Sequence, residues 1–184
     1  MNEVLYNTEY LQLKSTISEQ GEEWVYAHRP NAKNVVAILP FYKDEVLFLI
    51  EKRPPLIAEK KAEFLVSLPA GLVGDENSTE STIEALHKEL KEETGCYSDN
   101  IKIVSSKIAS SGGCVSETIT LAIAEINSKE IKFTPQNDGG IIIDRIWVKK
   151  QNILNWLKEK EDLGYAISSQ VFAGLFYFYN KEDL

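Results

Sequence analysis

Apolar and polar residues alternate through residues 4–30, a two-residue period that predicts extended chain. The segment divides at the polar turn Glu19-Gln20-Gly21-Glu22, so two short strands fit it. The second carries Trp24, Tyr26 and His28 on one face and Val25 and Ala27 on the other. Residues 34–42 and 45–53 are longer apolar runs split by Lys43-Asp44, and they predict a core hairpin. Pro54-Pro55 closes it, because proline cannot donate to a ladder. Residues 59–63 read as a charged loop, and 64–68 as a short strand entering the tight turn Pro69-Ala70-Gly71.

From Ser78 to Thr94 the period changes. Ile83, Leu86 and Leu90 fall three and four apart, the apolar stripe of a helix. Ser78, Thr79 and Ser81 all offer capping oxygens, Ser81 with Glu84 fits a capping box, and Gly95 suits the helix end. Strands follow at about 101–109, 116–126 and 141–148, then helices at about 150–161 and 168–180. Strands mixed with a few helices, without regular alternation, predict a mixed α/β (α+β) fold.

Composition narrows the function. A chain of 184 residues with 43% hydrophobic content suits one compact domain, with room for a small appended lobe. The formal net charge of −8 argues against a nucleic-acid partner, since phosphate backbones are held by fields of Lys and Arg. Cys96 and Cys114, with His28 and His87, lack the spacing of a zinc site or redox pair. Neither a signal-like N-terminus nor a membrane-length apolar run is present, so a cytoplasmic, membrane-free protein is expected.

The unusual feature is charge on the central helix. At 100° per residue, Glu89, Glu92 and Glu93 share an arc of about 100°. Like charges at that spacing repel by a few tenths of a kcal/mol per pair. They also stand in the last turns, where the macrodipole disfavours carboxylates by roughly 0.3–1 kcal/mol each. A solvated acidic face, softened by Lys88 and Lys91, is the plain reading. The alternative follows from context: a strand, a turn and a helix can gather carboxylates and a backbone carbonyl about one point. Magnesium favours hard oxygen ligands and completes its shell with substrate phosphates.

From Gly74 the chain runs Gly, five residues, Glu80, seven residues, Lys88-Glu89-Leu90, one residue, Glu92-Glu93, one residue, Gly95. This resembles the Nudix box, with Lys88 standing where the box has arginine. The flanking Leu68-Pro69-Ala70-Gly71-Leu72, Ile50-Glu51-Lys52-Arg53-Pro54-Pro55 and Ser111-Gly112-Gly113 are similar to the ADP-ribose pyrophosphatase branch of that family. There the glycine opening the box is that of the Pro-Ala-Gly turn, here Gly71, so this loop is three residues longer before Glu80.

The resemblance implies a Nudix α/β/α sandwich with a mixed β-sheet, at 34–184, and a small N-terminal β lobe at 1–33 for dimerisation and substrate recognition. It implies Mg2+, with Mn2+ as a substitute, held by Glu89, Glu92, Glu93 and the Ala70 carbonyl, with Glu80 and Lys88 paired to orient them. Trp24 would stack on the base, Arg29 would help to hold the nucleotide, and Arg53 would grip the pyrophosphate or terminal ribose-phosphate. Gly71 and Gly113 would line the site, and a homodimer is expected. Relatives carry a general-base glutamate on the loop before the last core strand. Here the nearest carboxylate on that loop is Asp138, with Glu117, Glu92 and Glu93 as rivals. The implied activity is hydrolysis of ADP-ribose, or a related nucleoside diphosphate derivative, to AMP and ribose 5-phosphate. Another nucleotide substrate (a nucleotide sugar, NADH or FAD) and a catalytically weak nucleotide sensor are the alternatives.

Overall fold

The computed structural model describes residues 3–74, 78–129 and 141–183. The chain opens with an antiparallel sheet of three strands: β1 (Glu3–Asn7), β2 (Gln12–Ile17) and β3 (Glu23–His28). One more strand stands here than the alternation suggested. The turn joining β1 to β2 contains no glycine or proline. It is closed by Thr8, whose side chain accepts from the Leu11 N–H at 2.9 Å and donates to the Leu11 carbonyl at 2.8 Å. A threonine hydroxyl can replace the usual turn residues in this way.

The main sheet is mixed. Its strands are β4 (Asn34–Tyr42), β5 (Glu45–Glu51), β6 (Leu65–Ser67), β7 (Ala70–Val73), β8 (Asn100–Ala109), β9 (Thr118–Glu125), β10 (Ile142–Lys149) and β11 (Ala166–Ile167). β4 lies at the centre, parallel to β9 and antiparallel to β5 and β7, while β10 runs along β5. Helix α1 (Pro54–Ala58) follows β5, α2 (Thr82–Thr94) follows β7, and α3 (Ile153–Asp162) and α4 (Ser169–Tyr179) end the chain.

The apolar run of β4 is continuous because both of its faces are covered. Val36 and Ile38 pack with Leu86 and Leu90 of α2. Ala37, Leu39 and Phe41 pack on the other face with Ile153 and Leu157 of α3 and Val171, Leu175 and Phe178 of α4. The result is three layers, α/β/α. Burying a side chain such as Phe48 or Phe178 contributes roughly 1.5–3 kcal/mol, so these two cores hold the layers together. No helix among the described residues is long and apolar enough to cross a membrane.

Two local expectations change. Ala70-Gly71 is not a turn but the start of β7, because Ala70–Val73 finds a partner in Asn34–Ala37, and the Pro69 carbonyl accepts the Ile38 N–H at 2.9 Å. Tertiary pairing overrides turn chemistry there. The helix expected from Ser78 starts at Thr82: of the three capping candidates, Ser81 is the N-cap, in a complete capping box with Glu84.

Candidate functional site

Helix α2 carries the acidic residues, and β7 brings the backbone beneath them. Gly95 ends the helix in the left-handed conformation, φ 71°, which a glycine adopts without steric cost. Glu89 is buried and lies flat on Gly71: a Cβ at Gly71 would stand 2.1 Å from the Glu89 carboxyl carbon. Only glycine permits that approach. The Lys88 ammonium lies 3.5 Å from Glu80 Oε1 and 3.7 Å from Glu89 Oε1. The second Glu80 oxygen accepts the Gly74 N–H at 2.9 Å. Lys88 and Glu80 thus form the expected pair, tied to the loop entering the helix. Lysine supplies a point charge at these longer distances, where a guanidinium would supply a fork.

Glu93 stands beside β7, and its Oε2 accepts the Ala70 N–H at 2.9 Å. Burial pushes its carboxyl up to about 8. The Ala70 N–H opposes the shift, Glu89 and Glu51 reinforce it, and Arg53 opposes it. Three carboxyls therefore act on one another here, with Arg53 and Lys88 as cations beside them. Glu92, half-buried, turns along the helix into a hollow lined by His87, Lys88, Lys91 and Tyr97. Two residues of this neighbourhood escaped the sequence reading. Glu51 closes the apolar run Val46–Ile50 of β5 and is 1% exposed; a buried-looking run ending on an acid was the available signal. Arg145, on β10, donates from Nε to the Glu93 carbonyl at 2.5 Å. A cation at a helix C-terminus offsets the macrodipole, so part of the compensation the helix lacks locally comes from a distant strand.

A second group gathers where β3 meets the 111–117 loop. Trp24 Nε1 donates to the Gly113 carbonyl at 2.9 Å, yet the residue remains 49% exposed. His28 Nδ1 and Ser116 Oγ are 2.9 Å apart, and Arg29 Nε pairs with Glu117 Oε2 at 2.9 Å. The Ala27 N–H donates to the Cys114 carbonyl, so the loop is laced to the strand. Trp24 is anchored by its edge, and about half of its surface stays exposed. Register relates the two groups. Gly71 is level with Val36 on β4, and Val36 with Thr120 on β9, three residues after Glu117. Two strand spacings, about 10 Å, therefore separate Gly71 from the strand that leads out of the Glu117 loop.

A solved structure described as an ADP compounds hydrolase matches this chain with a TM-score of 0.72 at 16% identity, over 98% of this chain and 90% of that one. The fold is a Nudix-like sandwich. No protein-family model and no curated protein sequence matches the chain.

Within this Nudix-like fold, the structure brings Ala70, Gly71, Lys88, Glu89 and Glu93 together, with Arg53 close enough to act on Glu93. It places Trp24, Arg29, Gly113 and Glu117 in the second group. Asp138 lies outside the described residues. Among the described residues no three acidic, histidine or cysteine side chains converge on one point as a ready-made cage. The donors present suit magnesium nonetheless: two carboxyls against one strand supply hard oxygens, and the ion commonly takes one or two carboxylates and completes its shell with phosphates.

Proposed function

We propose that the protein is a magnesium-dependent hydrolase of ADP-ribose or a closely related nucleoside diphosphate derivative, breaking the pyrophosphate bond to give AMP and ribose 5-phosphate. The observation that supports this most directly is the pair of carboxyls that α2 sets against β7: Glu89 lies on Gly71, and Glu93 accepts the Ala70 N–H. Two carboxyls held against one strand offer a cation hard oxygen ligands. Glu89, Glu93 and the Ala70 carbonyl would hold it, with Glu92 turning in from its neighbouring hollow. Magnesium, when bound, neutralises charge developing on the pyrophosphate and acidifies an attacking water.

The residues of the chain do the rest. Lys88 and Glu80 hold Glu89 in place. Trp24 offers its open ring to the base, and Arg29 and Arg53 meet the nucleotide and its phosphates. Glu117 is already committed to Arg29, on the Trp24 side. Among the described residues that leaves Glu92 or Glu93 to take the proton of the attacking water, with Asp138 the further candidate.

The same reading includes a homodimer. The three-stranded sheet exposes Val4, Tyr6, Leu13, Ile17 and Val25, with Tyr6 at 66%. Apolar strands left open in this way mark an interaction surface, and a second copy of the sheet is the partner we assign. Light scattering at micromolar concentration should give twice the chain mass of 20.8 kDa.

The deciding assay is ADP-ribose with and without magnesium, reading AMP. Expected is AMP formation that chelation abolishes. A panel of nucleotide sugars, NADH and FAD run alongside ranks substrates; no product from any of them would end the hydrolase reading.

A further inference from the structure

Glu51 is the most deeply buried acid named so far, and nothing in the proposed reaction uses it. It closes β5 between two partner strands, level with Leu65 of β6 and Ile142 of β10. Its side chain is 1% exposed and Arg53 Nε donates to its Oε2 at 2.6 Å, while the Arg53 side chain is 40% exposed. Removing a carboxylate from water costs several kcal/mol unless a partner compensates it. Here that partner is a single guanidinium whose far end reaches solvent.

The backbone explains the pairing. Arg53 precedes two prolines, and a residue before proline is held out of the helical region. It adopts φ −108°, ψ 108°, extended backbone that continues the line of β5. In extended chain, residues two apart share a face. Glu51 and Arg53 therefore point the same way, while Lys52 between them points the other way, to Glu63 at 3.3 Å. The Arg53 carbonyl also accepts the Leu56 and Ile57 N–H groups of α1, which fixes its Cα. Nε is committed to Glu51, the side chain is 40% exposed, and among the described residues no hydrogen bond of the two terminal Nη groups accompanies it. An Nη pair held through Nε is the fork that takes two oxygens of a diphosphate.

We propose that Glu51 is a positioning residue: from its place in the core it fixes Arg53 through Nε, so that the outward Nη pair meets the diphosphate of the substrate. The proposal deepens the hydrolase reading and rests on it for the identity of the anion. Arg53 touches the substrate; Glu51 acts through Arg53. Leu49, two residues before Glu51, is level with Arg145, whose Nε reaches the Glu93 carbonyl, so the Glu51–Arg53 pair lies along the strands that border the carboxylate group.

The test is a double-mutant cycle on binding of ADP, measured by calorimetry in chelator, alongside KM and kcat for ADP-ribose in magnesium. Truncating a charged contact to phosphate typically costs one to two orders of magnitude, so Arg53→Ala should weaken ADP binding about 30-fold. Glu51→Gln should weaken it about 10-fold, and the double variant no more than Arg53→Ala alone, because coupled residues are non-additive. KM should move with the ADP affinity while kcat changes little. Arg53→Lys keeps the charge facing Glu51 but loses the fork. It should melt near the wild-type temperature and still bind ADP weakly, which keeps the idea testable if Glu51→Gln fails to fold. Additive losses in the cycle, wild-type ADP affinity in Arg53→Lys, or a fall in Mn2+ affinity in Glu51→Gln would each overturn it. Absence of turnover in the wild type would count against the hydrolase reading alone, since the ADP cycle would still decide the role of Glu51.

Discussion

The two groups that make up the candidate site are built on opposite terms. Around Trp24 polar groups are paired one to one: indole N–H to carbonyl, guanidinium to carboxylate, imidazole to hydroxyl. These contacts are exposed, and exposed ion pairs contribute little to stability. Around Glu93 carboxyls are crowded where α2 meets β7, and burial raises the Glu93 carboxyl. On the proposed reading, an open surface serves recognition of a planar group. Crowded carboxyls at a helix–strand junction serve an ion and the chemistry that comes with it. The contrast implies that substitutions in the first group should change affinity, and those in the second the chemical step.

The sharpest break of that contrast is Glu93→Gln. It keeps shape and the Ala70 contact but removes the charge, and kcat should fall about 1,000-fold or more with KM little changed, as when an interaction made in the transition state is lost. Near-wild-type turnover would end the assignment of the metal to this group. The same carboxyl sets a pH dependence. Its folded pKa, about 8, lies above the ordinary 4.5, so the folded chain holds a proton that the unfolded chain releases. Metal-free protein should therefore lose stability as pH rises from about 4.5 to 8 and level off beyond. Melts in chelator across that window check this. The slope should vanish in Glu93→Gln and flatten in wild type with magnesium.

Gly71→Ala comes next. The new methyl meets the Glu89 carboxyl at 2.1 Å, so the carboxylate must move, and a displacement of about 1 Å at a reacting centre can cost 100-fold in rate. Steady-state kinetics at saturating magnesium give the number; an unchanged rate would show that Glu89 need not lie on β7. Smallest is Trp24→Ala. Losing a stacking face worth roughly 0.5–1.5 kcal/mol should raise KM some 2- to 13-fold and leave kcat alone. A matching drop in kcat would erase the division between the two groups.

The two groups also differ in how far the chain announces them. The carboxylates of α2 stand out because their spacing is helical, their position in the last turns is electrostatically poor, and the capping box and Gly95 bracket the helix from local signals alone. The layers follow as readily: a strand apolar without a break from Val35 to Phe41, as β4 is, needs cover on both faces. Trp24 and Arg29 could be named but not located, since their partners Gly113 and Glu117 are 89 and 88 residues away.

What the amino-acid order determined by itself was local and periodic: which segments are strands or helices, where α2 is capped, and that three acids share one of its faces. What only tertiary structure decided was which distant groups meet. Ala70-Gly71 became a strand because β4 was there to pair with it, and Glu51 and Arg145 joined the Glu93 neighbourhood through pairing of β5 with β10. The reason is physical. Propensity and helix spacing act over a few residues, whereas burial and charge act over a few ångströms, and only the folded chain converts one distance into the other.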